Sequence, residues 1–169
     1  MVQPDSAADR DVLPGLDTLL SQQGESLLEL SRRQPRLVVL LRHSGCTFCR
    51  EALSDLQTHR QAIEAAGAGI VLIHQGTEAE AAAFFRPFGL DDVPRIADPG
   101  CEAYRIFDLK RERLHRLFHP GVWWRGFQSA LLKRHGFGRI RGDVRQMPGV
   151  FLIDAGRVLA AFRHRLPSG

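Results

Sequence analysis

A buried strand that runs directly into a pair of cysteines decides the fold of this chain: residues 36–50 read RLVVLLRHSGCTFCR. The apolar, partly β-branched run at 37–41 predicts a strand that is buried on both faces. Leucines then recur at helical spacing over 49–66, and a second apolar run follows at 69–74. Strand, helix and strand within about forty residues predict a βαβ unit with parallel strands and a right-handed crossover.

The rest of the chain continues the alternation of helices and strands. Thr77 and Glu80 have the spacing of a capping box at the start of a helix. Further elements are predicted as a helix to Phe88 closed by Gly89, a strand at 93–97, a helix at 102–109 with Tyr104 and Phe107 inward, and a hairpin of strands 149–154 and 157–162. The predicted class is α/β, with a central mixed sheet flanked by helices.

Length and composition are those of one ordinary folded domain. The chain has 169 residues, 44% hydrophobic and 25% charged, with three cysteines. We predict an N-terminal lead-in at 1–25 with a short helix around 16–21, and one domain at 26–169. The first ten residues lack the features of a secretory signal, and the longest apolar run is far shorter than the ~20 residues that span a bilayer. We therefore expect a cytoplasmic protein without a membrane partner.

The positive charge of the chain is local and consists mainly of arginine. The formal net charge is +4, and only two of the 23 basic residues are lysines. Residues 105–145 hold eleven basic side chains against three acidic ones. They fall mostly within 110–146, a stretch that we interpret as a helical insertion with an amphipathic helix at 123–135. Because no nucleic-acid motif accompanies the charge, we expect no nucleic-acid partner.

The cysteine pair carries the chemistry that the sequence predicts. Cys46 and Cys49 lie where the first strand passes to its helix, after a turn that ends in Gly45. Unpaired N–H groups and the helix dipole favour a thiolate at Cys46, and Arg42 and Arg50 add positive charge. Cys49 lies one turn further on the same face, where it can attack a disulfide formed at Cys46.

The segment 40–51 resembles the signature of the peroxiredoxin-like branch of the alkyl hydroperoxide reductase/thiol-specific antioxidant (AhpC/TSA) family. Three later segments, at 69–74, 97–105 and 149–158, are similar to the same family, so the resemblance spans about residues 27–163. It implies a thioredoxin-like fold, here with the basic helical insertion before the final hairpin. It also implies thiol-based redox activity on a peroxide or disulfide substrate, with a cellular dithiol as reductant and no bound cofactor.

The resemblance also assigns a role to the residues before the last hairpin. In thioredoxin-like proteins a proline with a cis peptide bond lies opposite the redox cysteines, and Met147 and Pro148 occupy that place. The backbone of Met147 is then expected to bind an extended substrate.

One departure from the family pattern leaves the reaction open. Peroxiredoxins place their peroxidatic cysteine after Pro-x-x-x-Thr/Ser-x-x-Cys. Counting back from Cys46 puts His43 and Val39 at the Thr/Ser and Pro positions; counting back from Cys49 puts Cys46 and Arg42 there. Since neither count matches, dithiol–disulfide exchange ranks at least level with peroxide reduction.

Zinc binding is an alternative role for the residues of the cysteine motif. His43, Cys46 and Cys49 could hold zinc with a fourth ligand from Cys101, His115 or His119, but no second spaced pair exists, and we expect no metal. Cys101 could resolve an oxidised Cys46 if the fold brings them together, but it is predicted to be a passive, half-buried thiol.

The aromatic stripe of the insertion is predicted to pack on the domain or on a second subunit in a homodimer. Its alternatives are a cap near the active site that binds a hydrophobic or acidic partner, and a surface for nucleic acid or an anionic membrane. The second hypothesis for the whole chain is a non-catalytic binding or regulatory module that uses this insertion to hold a partner. The seven histidines, as a group, are predicted to be exposed or hydrogen-bonded.

Overall fold

The computed structural model describes residues 12–41, 47–109, 146 and 148–163, with residues 47 and 48 described by their backbone alone. Within these residues the elements, in chain order, are α1 (Leu27–Arg33), β1 (Arg36–Leu40), α2 (Thr47–Ala65), β2 (Gly69–His74), α3 (Glu78–Phe85), a 3₁₀ turn (Arg86–Phe88), β3 (Arg95–Ala97), α4 (Glu102–Ile106), β4 (Gly149–Asp154) and β5 (Arg157–Arg163). Every strand that the sequence predicts is present, and the ends differ by no more than two residues.

The five strands form one mixed sheet in the order β3-β2-β1-β4-β5. β1, β2 and β3 are parallel, and β4 pairs antiparallel with both β1 and β5. Leu40 of β1 lies beside Ile73 of β2 on one side and Gly149 of β4 on the other. The carboxyl ends of the three parallel strands therefore meet the amino end of β4 at one edge of the sheet.

Alternating side chains of β1 divide the interior into two cores, one on each face of the sheet. The α4-side core contains Leu16, Leu19, Leu27, Leu30, Val38, Leu40, Val71, Ile73, Ile96, Cys101, Tyr104, Phe107, Phe151 and Ile153. The α2-side core contains Val39, Leu41, Cys49, Leu53, Leu56, Ile70, Leu72, Ala81, Phe85, Leu90 and Val93. Both faces of the sheet are covered, as the apolar runs of β1 and β2 predict.

The segment before α1 is packed into the domain. Residues 14–18 form turns instead of the short helix predicted around 16–21, because the carbonyls of Leu16 and Leu19 accept from the N–H groups of Leu28 and Leu27 instead of from a helical turn. Both leucine side chains are buried in the α4-side core. Gln22 binds the backbone of Arg95 twice: its own N–H donates to the Arg95 carbonyl at 3.0 Å, and its side-chain oxygen accepts from the Arg95 N–H at 2.7 Å. Gln22 thereby pairs both backbone polar groups of Arg95 in the short edge strand β3.

Two capping boxes start helices on opposite sides of the sheet. The box of Thr77 and Glu80 at α3 is confirmed, and its helix closes through the 3₁₀ turn at Gly89, whose φ is 61°. A second box, Ser26 with Glu29, starts α1, and the sequence analysis missed it. It has the same Ser/Thr-x-x-Glu spacing, so the same pattern predicts it.

The fold class is confirmed as α/β, with a central mixed sheet flanked by helices. The helix predicted at 123–135 lies outside the described residues. The two ends of the predicted insertion meet, however, because the side-chain N–H of the buried Gln146 donates to the Leu109 carbonyl at 3.1 Å. Among the described helices none is long and apolar enough to cross a membrane.

Candidate active site at the carboxyl edge of the sheet

Cys49 is in the first turn of α2 at the carboxyl edge of the sheet. The helix begins at Thr47, the residue after Cys46 and two residues before the predicted start at 49. Cys49 is 3% exposed and packs in the α2-side core with Leu41 and Leu53. Cys46 itself lies outside the described residues, as do Arg42, His43 and Gly45. The roles of these residues stay predictions.

Arg50, predicted to support the thiolate, reaches toward α3. Its guanidinium carbon lies 5.5 Å from the centre of the Phe84 ring, a cation–π arrangement. The side chain is half-buried. The contact holds a positive charge beside the first turn of α2, and it joins that turn to α3.

Pro148 precedes β4 at the same edge. It is half-buried, and the next residue, Gly149, lies directly beside Leu40 of β1. A side chain at Gly149 would come within 2.8 Å of both Leu109 and Phe151, so these two side chains would have to shift to admit it. Met147 lies outside the described residues, and so does the Met147–Pro148 peptide bond that the sequence analysis expects to be cis.

Tyr104 approaches the site from the opposite face of the sheet. It belongs to α4 and is completely buried, as predicted, but its hydroxyl also donates a hydrogen bond to the carbonyl of Leu41. Burial raises the pKa of this phenol well above its ordinary value, so it stays a donor at physiological pH. The sequence predicts only an inward orientation for Tyr104. Its partner lies 63 residues away and has no local signal.

Asp98 orients the helix that carries Tyr104. Its two carboxylate oxygens accept from the N–H groups of Glu102 and Ala103, each at 2.8 Å, and its own N–H donates to the His74 carbonyl at 2.7 Å. Asp98 is buried, and these hydrogen bonds compensate for the burial of its charge, since carboxylates are rarely buried without partners. It thus connects the ends of β2 and β3 to the start of α4.

His74 ends β2 and departs from the prediction made for the histidines as a group. It is 7% exposed, its ring lies edge-on to Phe85 at 5.8 Å, and neither ring nitrogen has a hydrogen-bond partner among the described residues. Burial lowers the pKa of His74, with Arg95 acting in the same direction; Glu78, the nearby backbone of Gly76, which makes no regular hydrogen bond to the ring, and Asp98 act against it. The imidazole is therefore held neutral in the folded protein.

Cys101 is separated from Cys49 by the sheet. It is 5% exposed in the α4-side core, more deeply buried than the half-buried thiol that was predicted, and its φ of 56° is left-handed. Among the described residues no three metal-binding side chains come together. The zinc alternative requires His43 and Cys46, which lie outside those residues.

Comparison with known proteins identifies the family. The family model for AhpC/TSA antioxidant enzymes matches residues 55–166, about two thirds of the chain. The match begins after the cysteine pair, so it covers neither Cys46 nor Cys49. No curated protein matches the chain.

Solved structures share the fold at low sequence identity. The Xanthomonas campestris bacterioferritin comigratory protein, described for its alkyl peroxide reduction activity, is 16% identical with a TM-score of 0.62, over 93% of this chain and 87% of that one. Reduced Prx3 from Vibrio vulnificus, in complex with hydrogen peroxide, is 15% identical with a TM-score of 0.64, over 97% and 88%.

A thiol-disulfide oxidoreductase shares the fold as well. The thioredoxin domain of one from Bacteroides vulgatus is 16% identical with a TM-score of 0.57, over 94% of this chain and 90% of that one. These likenesses confirm the thioredoxin-like fold, and the family match confirms the expectation of a thiol-dependent redox enzyme. The chain belongs to the AhpC/TSA family of antioxidant enzymes.

Proposed function

We propose that Cys46 and Cys49 form the redox centre of a thiol oxidoreductase, with Cys46 as the attacking thiolate and Cys49 as the resolving thiol. One observation carries the proposal: α2 begins at Thr47, directly after Cys46, and holds Cys49 buried in its first turn. Positions three residues apart at the start of a helix share one face, which is the spacing that disulfide formation between them needs.

The start of α2 supplies the electrostatic reason for this order of roles. The unpaired backbone N–H groups of a helix's first turn and the positive end of its dipole stabilise a thiolate there. Cys49 is inside the apolar α2-side core, where it is shielded from solvent. An anionic nucleophile at the start of the helix, followed by a thiol that solvent does not reach, is the pairing that a two-step exchange requires.

With a peroxide, two steps oxidise the cysteine pair to a disulfide, and a dithiol then reduces it. The Cys46 thiolate attacks one oxygen of ROOH, the O–O bond breaks, and the leaving alkoxide takes a proton to become ROH. Cys46 is now a sulfenic acid. The thiol of Cys49 attacks its sulfur, and water leaves as the disulfide forms. A cellular dithiol then reduces the disulfide by two exchange steps.

With a disulfide substrate the same centre reacts without an oxygen leaving group. Cys46 attacks one sulfur and releases a thiolate, and Cys49 attacks the mixed disulfide and releases the second thiolate. The substrate would lie along the backbone at Met147 and Pro148, because Gly149 of the adjoining strand lies beside the end of β1. The departure from Pro-x-x-x-Thr/Ser-x-x-Cys supports this substrate class, and the family match supports peroxides.

The roles of the three cysteines are tested by single serine variants. Reduced protein is mixed with hydrogen peroxide or with hydroxyethyl disulfide in a stopped-flow instrument, and the products are identified by mass spectrometry. Cys46→Ser should slow both reactions by at least about a hundredfold, the scale of losing a nucleophile. Cys49→Ser should leave the first step intact and trap a sulfenic acid or a mixed disulfide on Cys46.

Cys101→Ser is the matched control, since it removes a buried thiol from the other face of the sheet. It should react like the unmodified chain. Oxidation that is as fast in Cys46→Ser as in the unmodified chain contradicts the proposal. The ratio of the two rate constants in the unmodified chain decides between peroxide and disulfide as substrate.

A further inference from the structure

The carbonyl of Leu41 is held by a side chain from the other face of the sheet. Leu41 is the last described residue before the cysteine motif, and its N–H donates to the Ile73 carbonyl at 2.9 Å. Its carbonyl accepts from the Tyr104 hydroxyl, beyond the end of β1. Both polar groups of this backbone position are therefore paired, although regular strand pairing of β1 ends at Leu40.

This hydrogen bond couples the α4-side core to the cysteine in α2. Tyr104 lies in the α4-side core, whereas the Leu41 side chain lies in the α2-side core together with Cys49. Leu41 and Cys49 are each 3% exposed. Closely packed interiors transmit displacements among the side chains of one core, and this core contains both Leu41 and Cys49.

The hydroxyl of Tyr104 stays protonated at physiological pH, because burial raises its pKa, and it can therefore keep donating this hydrogen bond. Its side chain is completely buried on the helix that Asp98 caps, so both its ring and its helix are held in place. The phenol also hydrogen-bonds the side chain of Gln75, the residue after β2, and it lies close enough to Cys49 for a charge on that sulfur to raise the pKa of Tyr104 further. The Tyr104 hydroxyl thus binds Leu41 at the end of β1, and Leu41 shares a core with Cys49.

We propose that Tyr104 is a positioning residue for Cys49. Its hydroxyl binds the Leu41 carbonyl and thereby fixes Leu41, one of the side chains in the core that holds the Cys49 thiol. The inference rests on the proposed function, in which Cys49 resolves the oxidised Cys46. A displaced resolving thiol slows the second step of the reaction, because attack on a sulfur depends on the alignment of the reacting atoms. The first step depends on Cys46 and is not affected.

Tyr104→Phe tests this role, because it removes the hydroxyl and keeps the ring. The matched control is Ser31→Ala, which removes a buried hydroxyl that donates to the Leu28 carbonyl and accepts from the Gly156 N–H. Gly156 is in the β4–β5 turn, at the opposite edge of the sheet from Cys49. Thermal unfolding of both variants shows that each is folded at the assay temperature.

Two readouts separate positioning from a general loss of stability. In single-turnover reactions with hydroxyethyl disulfide, Tyr104→Phe should slow closure of the disulfide by Cys49 about tenfold, and leave formation of the mixed disulfide unchanged. In the reduced protein, iodoacetamide should modify Cys49 about tenfold faster in Tyr104→Phe, since the packing around the thiol loosens. Ser31→Ala should match the unmodified chain in both.

Equal behaviour of Tyr104→Phe and Ser31→Ala in both readouts overturns the inference and leaves the proposed function standing. An unmodified chain that forms no adduct at Cys46 contradicts the proposed function instead. The alkylation of Cys49 still decides the inference in that case, because it needs no turnover.

Discussion

At the scale of single residues, His74 predicts how stability depends on pH. Its pKa is lowered by burial in the folded protein, whereas in the unfolded chain it has the ordinary value of about 6.5. Between the two values the unfolded state binds more protons, so the free energy of unfolding falls as the pH drops below about 6.5 and levels off below the folded-state pKa. Unfolding by urea at a series of pH values measures this loss.

His74→Leu should remove this part of the acid sensitivity. Because neither ring nitrogen has a hydrogen-bond partner among the described residues, an apolar replacement should cost little at pH 8. His59→Leu is the control, since His59 is exposed on α2. The same slope in His74→Leu as in the unmodified chain would show that His74 is not the group that titrates.

At the scale of elements, α4 depends on one buried carboxylate. The helix has only five residues, too few to be stable by itself, and Asp98 accepts hydrogen bonds from two of its first N–H groups. Asp98→Ala should lower the free energy of unfolding by about 1–2 kcal/mol, the cost of a lost N-cap. Equilibrium urea unfolding at neutral pH measures the difference.

Asp91→Ala is the matched control, since it removes an exposed carboxylate of the same charge. It should leave the stability nearly unchanged. Asp98→Asn keeps one acceptor oxygen and should fall between the two. If Asp98→Ala were as stable as Asp91→Ala, the two hydrogen bonds would not be what holds α4.

At the scale of the whole molecule, one sheet supports two cores. Phe85 fills the α2-side core and Phe151 the α4-side core, and both are completely buried. Phe85→Ala and Phe151→Ala should each cost about 3–5 kcal/mol, from lost burial and the cavity left behind. Because both cores share β1 and β2, each variant should still unfold in one transition, seen alike by fluorescence and circular dichroism.

Leu159→Ala, at an exposed position of β5, is the control and should change little. Two separate transitions in either core variant would mean that the faces of the sheet unfold independently.

The sequence by itself determined the five described strands and the helices between them, but it did not predict α1. The apolar runs at β1 and β2, the hairpin at Ala155 and the box at Thr77 are local signals, carried by residues within a few positions of one another, and the structure has all of them. The start of α2 beside Cys46 follows from the same signals. The helical spacing of apolar residues in α2 is itself a local signal, so no distant partner is needed to predict this helix.

The tertiary structure alone decided which side chains meet at the site. Strand order brings Tyr104 to Leu41, puts Cys101 on the opposite face from Cys49, and draws Leu16 and Gln22 of the predicted lead-in onto the domain. These partners are far apart along the chain, and many other residues could have occupied the same places. Only the packing of both faces of one sheet selects among them, because that packing is a property of the whole chain.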